Sequence, residues 1–248
     1  MTPNINYEDS HKNFRKNMLS IKQLNQFYGE SHTLWDVDME IPEGACTCLM
    51  GRNGMGKTTT LQSIMGLIPV KSGSVTFNGQ ELLGLGAEQR ARMGIGYVPQ
   101  GREIFAQLTV EENLLTGLAA RRDKVRKIPA HIFDLFPVLK DMLQRRGGDL
   151  SGGQQQQLAI GRALTIDPTM LIFDEPCEGI QPNIVQQIGD VILQLNQEHN
   201  ITVLLVEQKL PFARRVGQHF VILDKGRTVA KGAMAELGDD LIQRHLTV

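Results

Sequence analysis

The 248-residue sequence lacks long apolar runs, and the longest are short segments such as "ITVLLV" at 201–206. A helix that crosses a bilayer needs roughly 20 apolar residues, so no membrane span is predicted. The first 17 residues are polar and lack the apolar core of a secretory signal peptide. We therefore expect a protein kept in the cytoplasm, with residues 1–17 forming a flexible N-terminal extension.

The sequence also lacks an excess of charge of one sign. Twenty-six basic residues nearly balance 27 acidic ones, which gives a formal net charge of −1. Such a balance does not favour nucleic acid or an anionic membrane as a partner, and we expect no nucleic acid to bind. The basic run "RRDKVRK" at 121–127 is either a local patch or a solvated loop, and we favour the loop.

Cysteine is scarce as well, with three residues that have no spacing typical of a disulfide framework. Cys46 and Cys48 lie two apart in an apolar segment, which places both on one face of a strand. A metal site would need further Cys or His ligands nearby, so we interpret both as core thiols. The six histidines are scattered and match no zinc motif.

Short apolar segments alternate with helical patterns along the rest of the chain. "ACTCLM", "MLIFDE" and "ITVLLVE" are apolar nearly throughout, which is typical of strands buried on both faces of a parallel sheet. A mainly helical segment from about residue 101 to 150 interrupts this order. "GSVTFNGQEL" contains the Asn78-Gly79 pair of a β-hairpin. The fold class predicted from this order is α/β.

The segment "GRNGMGKT" at 51–58 matches the pattern G-x-x-x-x-G-K-[ST] in full. It follows an apolar strand and opens a helix, which is the context that this motif requires. Its glycines let backbone N–H groups surround the β- and γ-phosphates of a nucleotide. Lys57 supplies a cation there, and the Thr58 hydroxyl can bind Mg²⁺.

A second oxygen ligand for Mg²⁺ is expected beside this loop, and "MLIFDEP" at 170–176 provides one. Asp174 stands at the carboxyl end of an apolar strand, which is the edge where open α/β sheets bind ligands. Glu175 follows and can orient or deprotonate an attacking water. The two motifs together predict hydrolysis of ATP or GTP.

The segment "LSGGQQQQLAIGRAL" at 150–164 has two interpretations. Ser151 and Gln154 form a capping box, which would merely start a helix. Alternatively, the unpaired N–H groups at this helix start bind a phosphate. Since 51–58 already serves a nucleotide within this chain, a second phosphate-binding helix start is best explained if it serves a nucleotide held by another copy.

These motifs, in this order, closely resemble the ATP-binding cassette (ABC) family over about residues 19–232. "LSGGQ" at 150–154 is similar to the family signature, and 51–58 and Asp174-Glu175 match its Walker A and Walker B motifs. The resemblance implies a P-loop NTPase fold with a RecA-like, mostly parallel core and a small antiparallel β-subdomain. It also implies one ATPase domain at 18–248, with a helical subdomain inserted at about 101–165.

The resemblance further implies ATP and Mg²⁺ as cofactors and a head-to-tail dimer, in which Ser151 and the amides after it complete the partner's site. It assigns γ-phosphate and Mg²⁺ sensing to Gln100 and adenine stacking to Tyr28. The expected catalytic residues are Glu175, Lys57, Gln208 and Gln100, and the expected Mg²⁺ ligands are Thr58, Gln100 and Asp174. The expected nucleotide-binding residues are Tyr28, Gly51, Arg52, Asn53, Gly54, Met55, Gly56, Lys57, Thr58, Thr59, Ser151, Gly152, Gly153 and Gln154.

Two positions depart from the family pattern. Gln208 in "VEQK" stands where the family usually has a histidine, and Gln181 in "CEGIQP" stands where an aspartate is common. A glutamine amide can donate a hydrogen bond to the γ-phosphate but cannot take up or release a proton at neutral pH. A mechanism that needs a histidine as acid or base at position 208 is therefore not supported by this sequence.

The segments "VPQGREIF", "DEPCEGIQP" and "LLVEQ" are similar to ATPase subunits of branched-chain amino acid and amide importers. The glutamine run and "EGIQP" favour the urea-type members, with a branched-chain amino acid importer as the alternative. A soluble cassette protein, such as an iron–sulfur assembly factor, is a less favoured alternative. The expected partners are a second ATPase, identical or a sister chain, in a head-to-tail dimer, and integral membrane permease subunits. The expected location of this chain is therefore cytoplasmic, peripheral on the inner face of the cell membrane. An extracytoplasmic substrate-binding protein is an indirect partner.

Overall fold

The computed structural model describes residues 16–247. Residues 1–15, and with them most of the predicted N-terminal extension, lie outside the described part. The longest helix within 16–247 has 16 residues, and none there combines the length and apolar character needed to cross a bilayer.

A six-stranded sheet forms the centre of the fold, in the order β10-β9-β3-β8-β7-β6. All neighbouring strands in it are parallel except the β9–β10 pair. Every residue of β3, β7 and β8 is buried, because both faces of the sheet are covered. The predicted α/β class with a mostly parallel core is confirmed. The strands are β3 (Cys46–Met50), β6 (Ile95–Val98), β7 (Met170–Asp174), β8 (Thr202–Val206), β9 (His219–Asp224) and β10 (Arg227–Ala233).

A second, antiparallel sheet has four strands in the order β2-β1-β4-β5. The predicted hairpin at Asn78-Gly79 is confirmed, and it joins β4 to β5. Both turn residues have positive φ angles, 51° and 81°, which is the geometry that asparagine and glycine accept most easily. The strands are β1 (Asn17–Tyr28), β2 (Ser31–Pro42), β4 (Ser72–Phe77) and β5 (Gln80–Glu81).

Four of the helices, α3 to α6, lie between β6 and β7 in the chain, where the sequence predicts a helical segment. The capping box of Thr109 and Glu112 starts α3. The pattern "IFDLFPVLKDML" is divided at Phe136, because a residue before proline disfavours the helical conformation. The helices are α1 (Lys57–Met65), α2 (Ala87–Arg92), α3 (Val110–Gly117), α4 (His131–Leu135), α5 (Pro137–Asp141), α6 (Gly152–Leu164), α7 (Pro182–Gln197), α8 (Leu210–Val216) and α9 (Asp239–His245).

The core has two parts, one on each face of the large sheet. Cys46 and Cys48 of β3 lie in the part that packs against α6 and α7, whereas Leu49 lies in the part shared with α1 and the antiparallel sheet. This alternation is the period of two expected of a strand. The two cysteines are therefore buried on one face, as predicted, and Cys48 Sγ donates to the Ala213 carbonyl at 3.6 Å.

Candidate functional site

The glycine loop at 51–58 connects β3 to α1 and needs glycine at two positions in particular. Gly51 and Gly56 have φ angles of +144° and +99°, which residues with a side chain rarely adopt. A β-carbon on Gly51 would lie 2.4 Å from the carbonyl oxygen of Leu223, and one on Gly56 would lie 2.7 Å from Leu34. The loop is thus closely packed against β2 and β9, which fixes its shape.

Lys57 points back into this loop. Its Nζ donates to the carbonyl oxygens of Gly51 and Arg52 at 2.8 and 2.9 Å, and it lies 3.8 Å from Glu175 Oε1. The side chain is only 4% exposed, and burial lowers its pKa, while the nearby Glu175 and Asp174 carboxylates oppose that shift. A cation is therefore held at the centre of a loop rich in backbone N–H groups, a combination that suits phosphate.

Asp174 ends β7, two strands from β3 in the sheet, and its side chain is 1% exposed. The Thr58 hydroxyl donates to its Oδ1 at 3.3 Å, whereas Oδ2 is buried without a hydrogen-bond partner among the described residues. Burial raises the pKa of Asp174 to about 6. A buried carboxylate oxygen without a partner, next to a hydroxyl, fits Mg²⁺, which prefers oxygen ligands.

Gln208 joins the two motifs. Its Nε2 donates to Asn53 Oδ1 of the glycine loop and to Glu175 Oε1 beside Asp174, both at 2.6 Å. The structure therefore brings together three of the four predicted catalytic residues, Lys57, Glu175 and Gln208. The turn that carries Gln208 is held by Glu207, which is 3% exposed and accepts from the backbone N–H groups of residues 208 and 209 at 2.8 and 2.9 Å.

Gln100 and Tyr28 lie further from this centre. Gln100 Nε2 donates to Glu178 Oε2 at 2.8 Å, and no hydrogen bond joins it to Thr58 or Asp174 in the described part of the chain. Tyr28 ends β1, is 49% exposed, and donates from its hydroxyl to Gln62 Oε1 of α1 at 3.2 Å. Its ring is thus open to solvent beside the helix that follows the glycine loop.

The signature turn shows that its two interpretations are compatible. Ser151 Oγ accepts from the Gln154 N–H at 3.4 Å, and the Ser151 N–H donates to Gln154 Oε1 at 2.9 Å, so the capping box is formed. The box leaves the N–H groups of Gly152 and Gly153 without an acceptor in the described structure. A cavity of about 360 Å³ opens at these glycines, and Gln181 also lines it.

Three of the four glutamines in the run make side-chain hydrogen bonds, each to a different partner, whereas Gln156 Nε2 is buried without one among the described residues. Gln154 completes the cap, and Gln155 accepts from Arg102 and donates to the Gly147 carbonyl at 3.1 and 3.2 Å. Gln156 is buried, and Gln157 donates to Gln187 Oε1 of α7 at 3.2 Å. The run therefore connects α6 with its neighbours.

Sequence reasoning did not single out Glu207 or Arg102. Glu207 follows the apolar strand β8 directly, so its acidic type at a strand end was a usable signal. Arg102 lies in the loop after Gln100 and reaches Gln155, 53 positions away, a pairing that no local pattern indicates.

The site consists of a strand, a glycine loop that carries Lys57, and a helix, with an acid pair at the end of a nearby strand. This arrangement defines a P-loop nucleotide hydrolase. The family model described as "ABC transporter" matches residues 34–178. This chain belongs to the ABC transporter family and is one of its ATP-hydrolysing subunits.

Two relatives and one solved structure illustrate the similarity. The high-affinity branched-chain amino acid transport ATP-binding protein BraG of Pseudomonas aeruginosa is 41% identical, over 89% of this chain and 94% of its own. The probable branched-chain amino acid transport ATP-binding protein LivF of Archaeoglobus fulgidus is 39% identical over the same shares. A dimeric ATP-binding cassette in a post-hydrolysis state, bound to ADP and Pi, has a TM-score of 0.77 and 25% identity, over 88% of this chain and 99% of its own.

Proposed function

We propose that this chain energises a membrane importer by binding and hydrolysing ATP between two ATPase subunits. The observation that carries the proposal is the junction at Gln208, which joins the glycine loop to Glu175 beside the buried Asp174. In this arrangement Lys57 and the loop amides bind the β- and γ-phosphates. The exposed ring of Tyr28 beside α1 offers a surface on which adenine can stack.

Mg²⁺ would be held by the Thr58 hydroxyl and the Asp174 carboxylate, whose Oδ2 has no other partner in the described structure. When bound, Mg²⁺ neutralises charge on the β- and γ-phosphate oxygens. Gln100 is proposed as a further ligand. It would have to exchange its present hydrogen bond to Glu178 for that role, which makes it suited to sense whether nucleotide is bound.

Glu175 is proposed as the group that orients the attacking water and accepts its proton. Gln208 cannot accept a proton at neutral pH, so the proton has to go to Glu175. Both N–H bonds of the Gln208 amide are engaged, one by Asn53 and one by Glu175. Donation to a γ-phosphate would exchange one of these bonds, and the other would keep the amide in place.

The signature turn is proposed to serve the partner's nucleotide. The Gly152 and Gly153 N–H groups are free of intrachain acceptors in the described residues, face a cavity, and lie at the positive end of a 13-residue helix. The related cassette bound to ADP and Pi is a dimer. The head-to-tail dimer is therefore our proposal for this chain, with an identical or a sister subunit.

A mixed-dimer experiment tests this arrangement. Gly153→Asp adds a negative charge at the helix start proposed to meet the γ-phosphate, and its β-carbon would lie 3.0 Å from Ile184 of α7. Its own glycine loop stays intact, so monomeric ATP binding should survive while dimer closure is lost. Gly153→Asn, which has the same shape without the charge, is the matched control. Mixed with Lys57→Ala, Gly153→Asp forms one site from two intact halves. That pair should dimerise with ATP better than either variant alone. ATP-driven dimerisation of Gly153→Asp at the wild-type level would contradict the proposal.

A permease subunit is proposed to dock beside Gln100. A cavity of about 630 Å³ lies between β6 and the helices α3 and α6, and Ile104, Phe105 and Ile166 give it an apolar lining. Phe105 is 51% exposed, and Arg162 lies over its ring at 5.1 Å. An amphipathic helix from a membrane subunit fits such a groove. This contact would place the chain at the inner face of the membrane.

Branched-chain amino acids are the transported substrates that we favour, because two relatives at about 40% identity carry that description. Urea is the second candidate, supported by the resemblance of the glutamine run and "EGIQP" to urea-type importers. A substrate-binding protein outside the membrane would select between them. The test is uptake of leucine, isoleucine, valine and urea by cells that carry either wild type or Glu175→Gln. Loss of urea uptake alone would reverse our preference.

A further inference from the structure

Arg102 lies between two loops that the proposed dimer brings to the nucleotide. A β-carbon on Gly152 of the signature turn would lie 3.1 Å from each of the two terminal guanidinium nitrogens of Arg102. A β-carbon on Gly179, in the loop after Glu175, would lie 3.9 Å from one of them. The guanidinium therefore rests against the start of α6. The backbone of Arg102 has a φ of +72°, so the chain adopts an uncommon conformation at this residue.

The guanidinium is held in place but is not neutralised. Its Nη1 donates to Gln155 Oε1 at 3.1 Å, and Gln155 in turn donates to the Gly147 carbonyl at 3.2 Å. No carboxylate among residues 16–247 lies within 4.0 Å of Arg102. An arginine has five N–H donors, so several remain for a ligand.

The position is electrostatically unfavourable unless an anion arrives. The start of α6 carries the positive end of the helix dipole, and the Gly152 and Gly153 N–H groups there have no intrachain acceptor in the described part. A cation next to this end is repelled, and no carboxylate of residues 16–247 lies within 4.0 Å of the guanidinium to compensate. An approaching phosphate would satisfy the guanidinium, the two amides and the dipole together.

We propose that Arg102 binds the γ-phosphate of the ATP held by the partner subunit, and that Gln155 positions it. This inference rests on the proposed head-to-tail dimer and adds a residue to its composite site. The guanidinium would act as an arginine supplied in trans, stabilising charge on the transferred phosphoryl group. Because Arg102 is two residues from Gln100 and three from Phe105, a permease that moves this loop would also move the trans cation.

The alternative is that Arg102 only ties its loop to α6. If Arg102 only connects its loop to α6, its effect depends on the hydrogen bond to Gln155. If it is a phosphate ligand, its effect depends on its positive charge. Arg102→Gln keeps an amide donor without the charge, and Arg102→Lys keeps the charge. Gln155→Ala leaves the charge in place but removes its support. These three variants are made in a Glu175→Gln background, where ATP-driven dimers should persist, and the Glu175→Gln protein itself is the parent for comparison.

The first measurement is the ATP concentration needed for dimerisation, by light scattering with Mg²⁺ present. Arg102→Gln should raise it about tenfold to a hundredfold, the loss expected for a hydrogen bond between charged groups. Arg102→Lys should recover part of that loss, and Gln155→Ala should show a smaller one. ATP affinity of the monomer should be unchanged in all. Dimerisation of Arg102→Gln at the parental ATP concentration would overturn the proposal.

A mixed dimer then separates action in trans from action in cis. Arg102→Gln is paired with Lys57→Ala, so that one site combines the intact glycine loop of the first chain with the intact Arg102 of the second. Action in trans predicts a dimer that traps one nucleotide. Action in cis predicts none, and would overturn the proposal. If the Glu175→Gln parent itself does not dimerise with ATP, the proposed dimer fails. If the parent dimerises and Arg102→Gln does too, only the role of Arg102 fails.

Discussion

Asp174 gives the sharpest prediction, because its burial lowers stability while its proposed role requires the charge. The side chain is 1% exposed, and its Oδ2 has no partner among the described residues. Burial raises its pKa from the ordinary 3.8 to about 6. That difference corresponds to about 3 kcal/mol of unfolding free energy that the nucleotide-free protein loses when Asp174 is ionised.

The pH dependence follows from which state holds the proton. Below pH 3.8 Asp174 is protonated in the folded and the unfolded chain, so the cost is absent. As the pH rises to about 6, the unfolded chain releases this proton first, and the folded state loses stability. Above that pH the full cost is present. Between pH values of about 5 and about 7.5, the free energy of unfolding of wild type should fall by about 1.4 kcal/mol relative to that of Asp174→Asn, which has no carboxyl group to titrate at this position.

Urea unfolding without nucleotide, in EDTA, measures this change. With a slope of about 1–3 kcal/mol/M, the difference between the two midpoints should change by about 0.5–1.4 M over this pH range. The new amide has buried N–H groups without an acceptor and costs about 1–3 kcal/mol, but this cost is the same at every pH. A difference in unfolding free energy that stays constant from pH 5 to 7.5 would refute the reasoning. Mg²⁺ added to the ATP-saturated protein should stabilise wild type further and Asp174→Asn less, because the variant lacks one of the proposed ligands.

Four further variants test other parts of the site and the fold. Lys57→Ala should weaken ATP binding measured by nucleotide titration. Glu175→Gln should bind ATP, hydrolyse it poorly and accumulate as a dimer. Near wild-type turnover by Glu175→Gln would exclude Glu175 as the base. Gln208→Ala should slow turnover by about 10²–10³-fold, the effect of losing one transition-state donor, and unchanged turnover would remove this position from catalysis. Thr109→Ala should lower the free energy of unfolding by about 1 kcal/mol through loss of the α3 cap, with ATP hydrolysis as the control that stays unchanged.

The parts of the site that sequence reasoning could place are those with strict local requirements. Gly51 and Gly56 adopt backbone angles that few other residues accept, and Asp174 ends an apolar strand where a ligand edge is expected. The sheet class followed from strands that are apolar throughout. These features depend on residues that are neighbours in the sequence, so one amino-acid sequence is enough to predict them.

The pairings across the fold could not be predicted in the same way. Gln208 reaches Asn53 across 155 positions, and Gln100 bonds to Glu178 across 78. Such contacts depend on how β7 and β8 lie beside the glycine loop, which no local pattern encodes. The break of the helical pattern at Phe136 is different, because Pro137 was a readable signal for it.

The glutamine run shows how one helix start can serve both stability and ligand binding. A capping box needs only Ser151 and Gln154, and it satisfies the N–H groups of those two residues. The N–H groups of Gly152 and Gly153 stay open because the cap does not reach them, so the cap orders the turn without blocking it. Gln155 and Gln157 bond to Arg102 and to α7, and so fix the direction in which the open turn points. Because these contacts already order the helix start, binding a partner's phosphate there costs little further conformational entropy. That is the physical advantage of a preorganised site.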